Sequence, residues 1–155
     1  MNKEEIIENK TKKLEDFVNA IYQNIQTALQ SIEELLKISK DEKFNAELNR
    51  EKGLYLELKN KLLNECWKIN IKPEDNNFFE KARLYTSIKM TTIADKSTRH
   101  LAEMMLLGTV MGTTTCYKDL CDYKNQNGDL YNVLKELMRM EEANFDVLRS
   151  FLRDM

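Results

Sequence analysis

The sequence predicts an all-α protein in which four long helices form an antiparallel bundle. Three observations predict this fold class. The 155 residues include only four Gly and one Pro, so little interrupts a helix. Apolar residues make up 42% of the chain and charged residues 32%, a balance typical of amphipathic helices. Apolar residues also recur in steps of three and four along most of the chain, so we expect residues 1–155 to form a single domain around one core.

The first two predicted helices cover about 11–38 and 41–66 and form a hairpin with almost no loop. In the first, the core positions are Leu14, Phe17, Ile21, Asn24, Ala28, Ser31, Leu35 and Ile38. In the second, they are Phe44, Leu48, Glu51, Tyr55, Leu58, Leu62 and either Cys66 or Glu65. Between the helices, Ser39 and Glu42 have the spacing of a capping box, which predicts a new helix start there.

A long crossover follows the second helix. The segment from Ile69 to Pro73 has no helical period, and the residue before a proline avoids the α conformation. An extra helix is predicted over about 78–95. Helix could continue to Lys124, but a rod of that length would overrun its partners, and the short polar side chains of residues 95–98 favour a break.

The last two predicted helices cover about 97–124 and 129–154 and form a second hairpin. The turn between them contains Gly128 followed by Asp129, which predicts a helix stop and a new cap. Core positions in the last helix are Leu130, Leu134, Leu137, Glu141, Asn144, Leu148, Phe151 and Met155.

Two tight hairpins joined by one long crossover are the connectivity of ferritin-like bundles. The stretch IKMTTIADKSTRHLAEMM over residues 88–105, with Gly108, Met111 and Gly112 after it, resembles a group of short uncharacterised ferritin-like proteins of anaerobic Gram-positive bacteria. The resemblance extends over essentially the whole chain. It implies a ferritin-like fold and suggests a stress- or spore-related context.

Charge and hydropathy exclude several classes of partner. Net charge is −2 overall, and the segments 1–66, 67–96 and 97–155 carry −2, +2 and −2, so the basic footprint of a nucleic-acid-binding protein is missing. The longest nearly uncharged apolar run, Leu101 to Gly112, is shorter than the roughly 20 residues that span a bilayer. The first residues lack the apolar core of a signal peptide, and three cysteines without CxxC spacing favour reduced, buried thiols, so we expect a cytoplasmic protein.

Four polar residues interrupt the apolar seams near mid-helix: Asn24, Glu51, Glu141 and Asn144. Antiparallel packing would bring them to one level. One interpretation is a buried hydrogen-bonded layer that fixes helix register, and this is the favoured one. The alternative is a small polar pocket or a site for one hard cation, with Fe, Mn or Zn as the candidate metals, held by the two carboxylates with the two amides assisting. A ferritin-like di-metal site uses two Glu-x-x-His motifs, and a chain with a single histidine cannot supply both.

Weaker signals lie in the 97–124 helix. His100 and Glu103 are three apart and share a face, which favours pairing within the helix over a ligand site. Gly108 and Gly112 form a GxxxG pair, which predicts tight packing inside the bundle. The five methionines of the last two helices fit core filling, with a dimer face as the alternative: Met104, Met105, Met111, Met138 and Met140.

No phosphate-binding loop or catalytic triad motif occurs in the sequence. We therefore expect a helical protein without a cofactor that acts by associating with itself, as a homo-oligomer such as a dimer, or with another protein. The alternative is a metal-binding or oxidoreductase relative of the di-iron carboxylate proteins with a degraded site.

Overall fold

The computed structural model describes residues 1–74 and 94–153. Within these ranges the regular secondary structure is helical throughout, as predicted, and consists of α1 (Lys3–Ile38), α2 (Glu42–Lys68), α3 (Thr98–Asp122) and α4 (Gly128–Arg153). The extra helix predicted over 78–95 lies outside the described residues except for Ala94 and Asp95, which are not helical.

The first helix begins at Lys3 and not near Thr11. Asn2 and Glu5 form a capping box: Asn2 Oδ1 accepts from the Glu5 backbone N–H at 2.9 Å, and the Asn2 N–H donates to Glu5 Oε2 at 3.2 Å. The first turns were missed because residues 3–13 are exposed, so they carry no apolar period. The capping box was the signal that could have located this start.

Two of the predicted caps are wrong in detail. The N-cap of α2 is Asp41, which accepts from the Phe44 N–H at 2.8 Å, while Ser39 ends α1. The N-cap side chain of α4 is Asn127, which accepts from the N–H groups of Asp129 and Leu130 at 3.0 Å each. In both cases a short polar residue within two positions of the predicted cap has the better geometry for the free backbone donors.

The start of α3 and the end of α2 follow their predicted signals. Ser97 caps α3 by accepting from the His100 N–H at 3.3 Å. At the end of α2, Asn70 adopts φ 55°, and the Ile71 N–H donates to the Cys66 carbonyl at 3.0 Å. This left-handed turn is a common way to end a helix, and asparagine tolerates it better than most residues.

The helices form four extensive interfaces, α1 with α2, α1 with α3, α2 with α4 and α3 with α4. Where α2 and α4 are in contact, the first residues of α2 lie beside the last residues of α4, and later residues of α2 lie beside earlier residues of α4. The contacts that show this are Phe44 with Phe151, Tyr55 with Glu141, and Lys61 with Glu136. The same holds for α1 and α3, in which Phe17 stacks on Tyr123 and Asn24 contacts Cys116.

These contacts place the end of α2 and the start of α3 at opposite ends of the bundle. Lys61, in the last two turns of α2, reaches Glu136 near the start of α4. The start of α3 lies at the other end, because its last residues are the ones that face Phe17 near the start of the buried part of α1. The chain between Lys68 and Thr98 therefore connects the two ends.

All four helices contribute to one buried cluster. Each position predicted for the core of α2 is buried, and the same is true of α4 up to Leu148. In α1 the prediction is displaced by one residue at mid-helix: Ile25 and Ile32 are fully buried, whereas Asn24 and Ser31 are only partly buried. Among the described residues, no helix is both long enough and apolar enough to cross a membrane.

Candidate functional site

A polar layer crosses the middle of the bundle and receives at least one side chain from each helix. Its centre is the carboxylate of Glu141 on α4, which is 2% exposed. Tyr55 on α2 donates to Glu141 Oε2 at 3.2 Å, and the Cys116 thiol on α3 donates to Oε1 at 3.4 Å. Asn24 on α1 in turn donates to Cys116 Sγ at 3.4 Å. We use "polar layer" for Asn24, Glu51, Tyr55, Cys116, Glu141 and Asn144.

Gly112 makes room for the Glu141 carboxylate. A Cβ at position 112 would collide with Glu141 Oε2 and lie 3.1 Å from its Cδ. The Gly112 carbonyl also accepts a hydrogen bond from Asn24 Nδ2 at 3.0 Å. A side chain at this position would therefore displace the carboxylate from its two donors.

One turn away, Glu51 and Asn144 form the second half of the layer, and both are 0% exposed. Arg50 Nη2 donates to Asn144 Oδ1 at 3.1 Å, and its Nε donates to Glu47 Oε2 at 2.9 Å. Neither Glu51 oxygen has a hydrogen-bond partner among the described residues, nor does Asn144 Nδ2. Buried groups without partners are costly, and an ionised carboxylate most of all.

Burial sets the protonation of the two carboxyl groups. It raises the pKa of Glu141 to about 7, against the lowering effect of the Cys116, Tyr55 and Asn24 hydrogen bonds. The pKa of Glu51 is raised well above its ordinary value, first by burial and then by the neighbouring Glu47 carboxylate, while Arg50 lowers it. Glu51 is therefore protonated at neutral pH, and Glu141 changes its charge near neutrality.

The remaining titratable members of the layer are poor nucleophiles. Burial, followed by the charge of Glu141, raises the pKa of the Cys116 thiol well above its usual range. The pKa of Tyr55 is raised for the same two reasons. A thiol without access to its thiolate form does not attack a substrate, so the layer has the chemistry of a proton-holding hydrogen-bond network.

The four residues predicted for the metal site all lie in the polar layer. The two amide side chains, however, form hydrogen bonds with other protein groups. Asn144 accepts from Arg50 through the oxygen that a hard cation would bind. Asn24 uses its NH₂ group on Gly112 and Cys116. Within 1–74 and 94–153, no group of three or more His, Cys, Asp or Glu residues is arranged to hold a metal ion.

Three contributors to the layer escaped the sequence analysis: Cys116, Gly112 and Arg50. The first two lie on the inner face of α3, where the buried Leu101, Met105, Thr109 and Cys116 and the partly buried Gly112 follow steps of four and three. Extending that spacing along the helix was the signal that could have found them. Arg50 gave no such signal, because its side chain is 45% exposed and reaches inward only at its guanidinium.

Other sequence-level predictions have mixed outcomes. His100 Nδ1 lies 3.9 Å from Glu103 Oε2 on the same helix, which confirms the predicted pairing. Gly112 lies inside the bundle as the GxxxG prediction required, but Gly108 faces open space. The three cysteines are free as predicted, yet Cys121 is exposed and not buried, because it lies on the outer side of α3. Met105 is buried, whereas Met111 is 70% exposed.

That outer side of α3 is the second unusual surface of the molecule. From Met104 to Tyr117 the helix has no charged residue. Large apolar side chains in this span face solvent, with Leu107 60% and Met111 70% exposed. We use "outer stripe" for the exposed residues Glu103, Leu107, Val110, Met111, Thr114, Tyr117, Lys118 and Cys121. A contiguous exposed apolar surface of this kind is typical of a binding surface.

No protein-family model, no curated protein and no solved structure matches this chain.

Proposed function

We propose that this protein is a self-associating helical bundle, without catalytic activity of its own, whose contact surface is the outer stripe of α3. The observation that carries the proposal is the unusual distribution of polarity on that helix. Its inner face buries Leu101 and Met105, while its outer face exposes Leu107 and Met111. A helix that is apolar on both sides is expected to be covered on both sides.

The other outer faces do not share this property. The exposed positions of α4 include Asp129, Glu136, Arg139, Glu142, Asp146 and Arg149. On α2, Leu56, Leu63 and Trp67 are exposed, but charged residues recur at every second to fourth position of this segment: Glu57, Lys59, Lys61, Glu65 and Lys68. Exposed apolar residues among charged ones are common on protein surfaces.

Light scattering after size exclusion, repeated over micromolar concentrations, tests the proposal. We expect a mass above that of one chain that falls on dilution, and a monomer for the double variant Leu107→Ser/Met111→Ser. The matched control is Leu56→Ser/Leu63→Ser on the outer face of α2, which should associate like the wild type. A wild-type chain that is monomeric at every concentration would overturn the proposal, as would equal weakening by the two double variants.

For the architecture, we propose an antiparallel bundle of the ferritin-like type. Two features support it: the opposite running of contact positions in α2 against α4 and in α1 against α3, and the connection of opposite bundle ends between Lys68 and Thr98. One long crossover between two helical hairpins is the arrangement that separates this class from bundles with short loops.

A second candidate function is the binding of one cation, Fe, Mn or Zn, at the polar layer. The favouring observation is that both oxygens of the buried Glu51 lack a partner while Glu141 lies in the same layer. Arg50 and the present hydrogen bonds of the two amides count against it, because a bound cation would have to replace those bonds. Elemental analysis of protein purified without chelator tests it: near-stoichiometric metal, lost in Glu51→Ala/Glu141→Ala, would support this function.

A further inference from the structure

The two charged residues on the outer stripe lie at its two ends and differ in sign. Glu103 lies near the N-terminal end of α3 and Lys118 near its C-terminal end, and both are exposed. They are 15 residues apart, close to four whole turns, so they project from the same side of the helix. Between them lie only uncharged residues.

This charge pattern distinguishes between the two ways in which a second copy can cover the stripe. In parallel pairing, Glu103 would face Glu103 and Lys118 would face Lys118, and like charges in facing positions repel. In antiparallel pairing, each Glu103 faces Lys118 of the second copy. The stripe is thus complementary to itself in one orientation only.

Resting on the self-association proposed above, we propose that two copies pair antiparallel through α3, about a twofold axis between positions 110 and 111. That axis is the midpoint of Glu103 and Lys118. It places Leu107 opposite Thr114 of the second copy, so a large side chain meets a smaller one on both sides of the axis. It also places Met111 beside Met111 of the second copy. An interface in which each patch contacts itself is the usual form of a twofold homodimer.

Charge reversal tests the orientation. We expect Glu103→Lys, which brings two pairs of lysines together, to raise the dimer dissociation constant roughly tenfold, and Lys118→Glu to do the same. The double variant Glu103→Lys/Lys118→Glu restores the pairs with their signs exchanged, so its dissociation constant should return to within about threefold of the wild type. Sedimentation velocity at low salt measures all four proteins.

Disulfide formation tests the register. Cys121 is the exposed cysteine of the described chain and lies on the stripe, while Cys66 and Cys116 are buried. In the antiparallel dimer the two copies of Cys121 are roughly 30 Å apart along the helix axes, so mild oxidation of the wild type should not cross-link them. In a Cys121→Ser background, Met111→Cys lies at the axis and should cross-link efficiently.

The outcomes separate this inference from the proposed function. A dimer that cross-links through native Cys121 would overturn the antiparallel register while leaving self-association in place, whether or not Met111→Cys also cross-links. A dimer that the double charge reversal fails to restore would also overturn the antiparallel pairing. A monomer in every experiment would overturn both, and would assign the stripe to a different occupant.

Discussion

The inner and outer faces of α3 both carry apolar residues, but only the inner face is covered by other described residues. Its inner face lies against the polar layer, where Cys116 and Gly112 contact the buried carboxylate of Glu141. Its outer face exposes Leu107 and Met111 to solvent. Ordinary helices of a bundle bury the apolar side and expose the polar one.

The inner face of α3 is stabilised by contacts within the chain, whereas we propose that the outer face is covered by a second copy. On the inner face, the polar groups of Glu141 and Asn24 are paired within the chain by Tyr55, Cys116 and Gly112. On the outer face, the described residues supply nothing that covers the apolar side chains, and we propose that a second copy does so. Changes on the inner face should therefore alter the free energy of unfolding of the single chain, and changes on the outer face should alter association.

The largest effect on stability should come from the buried carboxyl groups, of which Glu141 is the one whose pKa lies near neutrality. Its pKa in the folded protein is raised to about 7 from an ordinary value of 4.5. Below pH 4.5 the group is protonated in the folded and the unfolded chain, and the free energy of unfolding keeps the full contribution of this residue. Between pH 4.5 and 7 the unfolded chain ionises while the folded chain keeps its proton, so the free energy of unfolding should fall by about 3 kcal/mol as the pH rises.

Urea unfolding at pH 5 and 7.5 measures this fall, and Glu141→Gln should remove the part that Glu141 contributes, because the amide does not ionise. Two other carboxyl groups also lower the free energy of unfolding as the pH rises. One is Glu51, which lies beside Glu47 and Arg50. The other is Asp119, whose pKa is raised to about 6 by burial and then by Asp122. Some slope should therefore survive in the variant. An unchanged slope would show that Glu141 is not the group that titrates.

A smaller loss is expected when the inner glycine receives a side chain. Gly112→Ala places a methyl group where the Glu141 carboxylate lies, and the carboxylate has to leave Tyr55 and Cys116 to avoid it. Two lost hydrogen bonds outweigh the better helix propensity of alanine, and the net loss should be about 2 kcal/mol. Gly53→Ala on α2, where nothing lies within 4 Å, is the control and should not destabilise. Equal behaviour of the two variants in urea unfolding would contradict the contact.

Tyr55→Phe removes one donor and leaves the ring in place. Tyr55 is fully buried, so the phenyl group should pack without a cavity, and the cost should be about 1 kcal/mol for the lost hydrogen bond to Glu141. Because that bond favours the ionised carboxylate, the variant should also move the titration of Glu141 to higher pH. Tyr131→Phe, whose hydroxyl donates to the Leu120 carbonyl at 3.4 Å, provides a comparison without an effect on the titration.

The sequence predicted the inner side of α2 and α4 well, because both helices have an uninterrupted three–four spacing bounded by charged residues. That spacing placed Glu51, Glu141 and Asn144 in the interior, where they are 0%, 2% and 0% exposed. It did less well for α1, where apolar residues lie on both sides of Asn24 and the buried position is Ile25.

The sequence could not predict which side chains meet inside the layer. Cys116 and Glu141 are 25 residues apart, and Tyr55 and Glu141 are 86 apart, so their contacts depend on which helices become neighbours. Periodicity also failed for α3, since a helix that is apolar all round has no single apolar face to detect. Because α3 carries apolar residues on both sides, periodicity could not identify its inner face, and its outer side is an exposed apolar stripe.

The smallest expected effect is a gain in stability, and it comes from a substitution at Gly108, one turn from Gly112. A Cβ at Gly108 would meet nothing within 4 Å, and the residue has ordinary helical backbone angles. Alanine restricts the unfolded chain more than glycine does, so Gly108→Ala should stabilise the protein by about 0.5–1 kcal/mol. Urea unfolding in the Leu107→Ser/Met111→Ser background measures this gain on the single chain, because association is weakened there. If Gly108→Ala were instead as destabilising as Gly112→Ala, a neighbouring group would have to lie against position 108, which would contradict the open space beside this glycine.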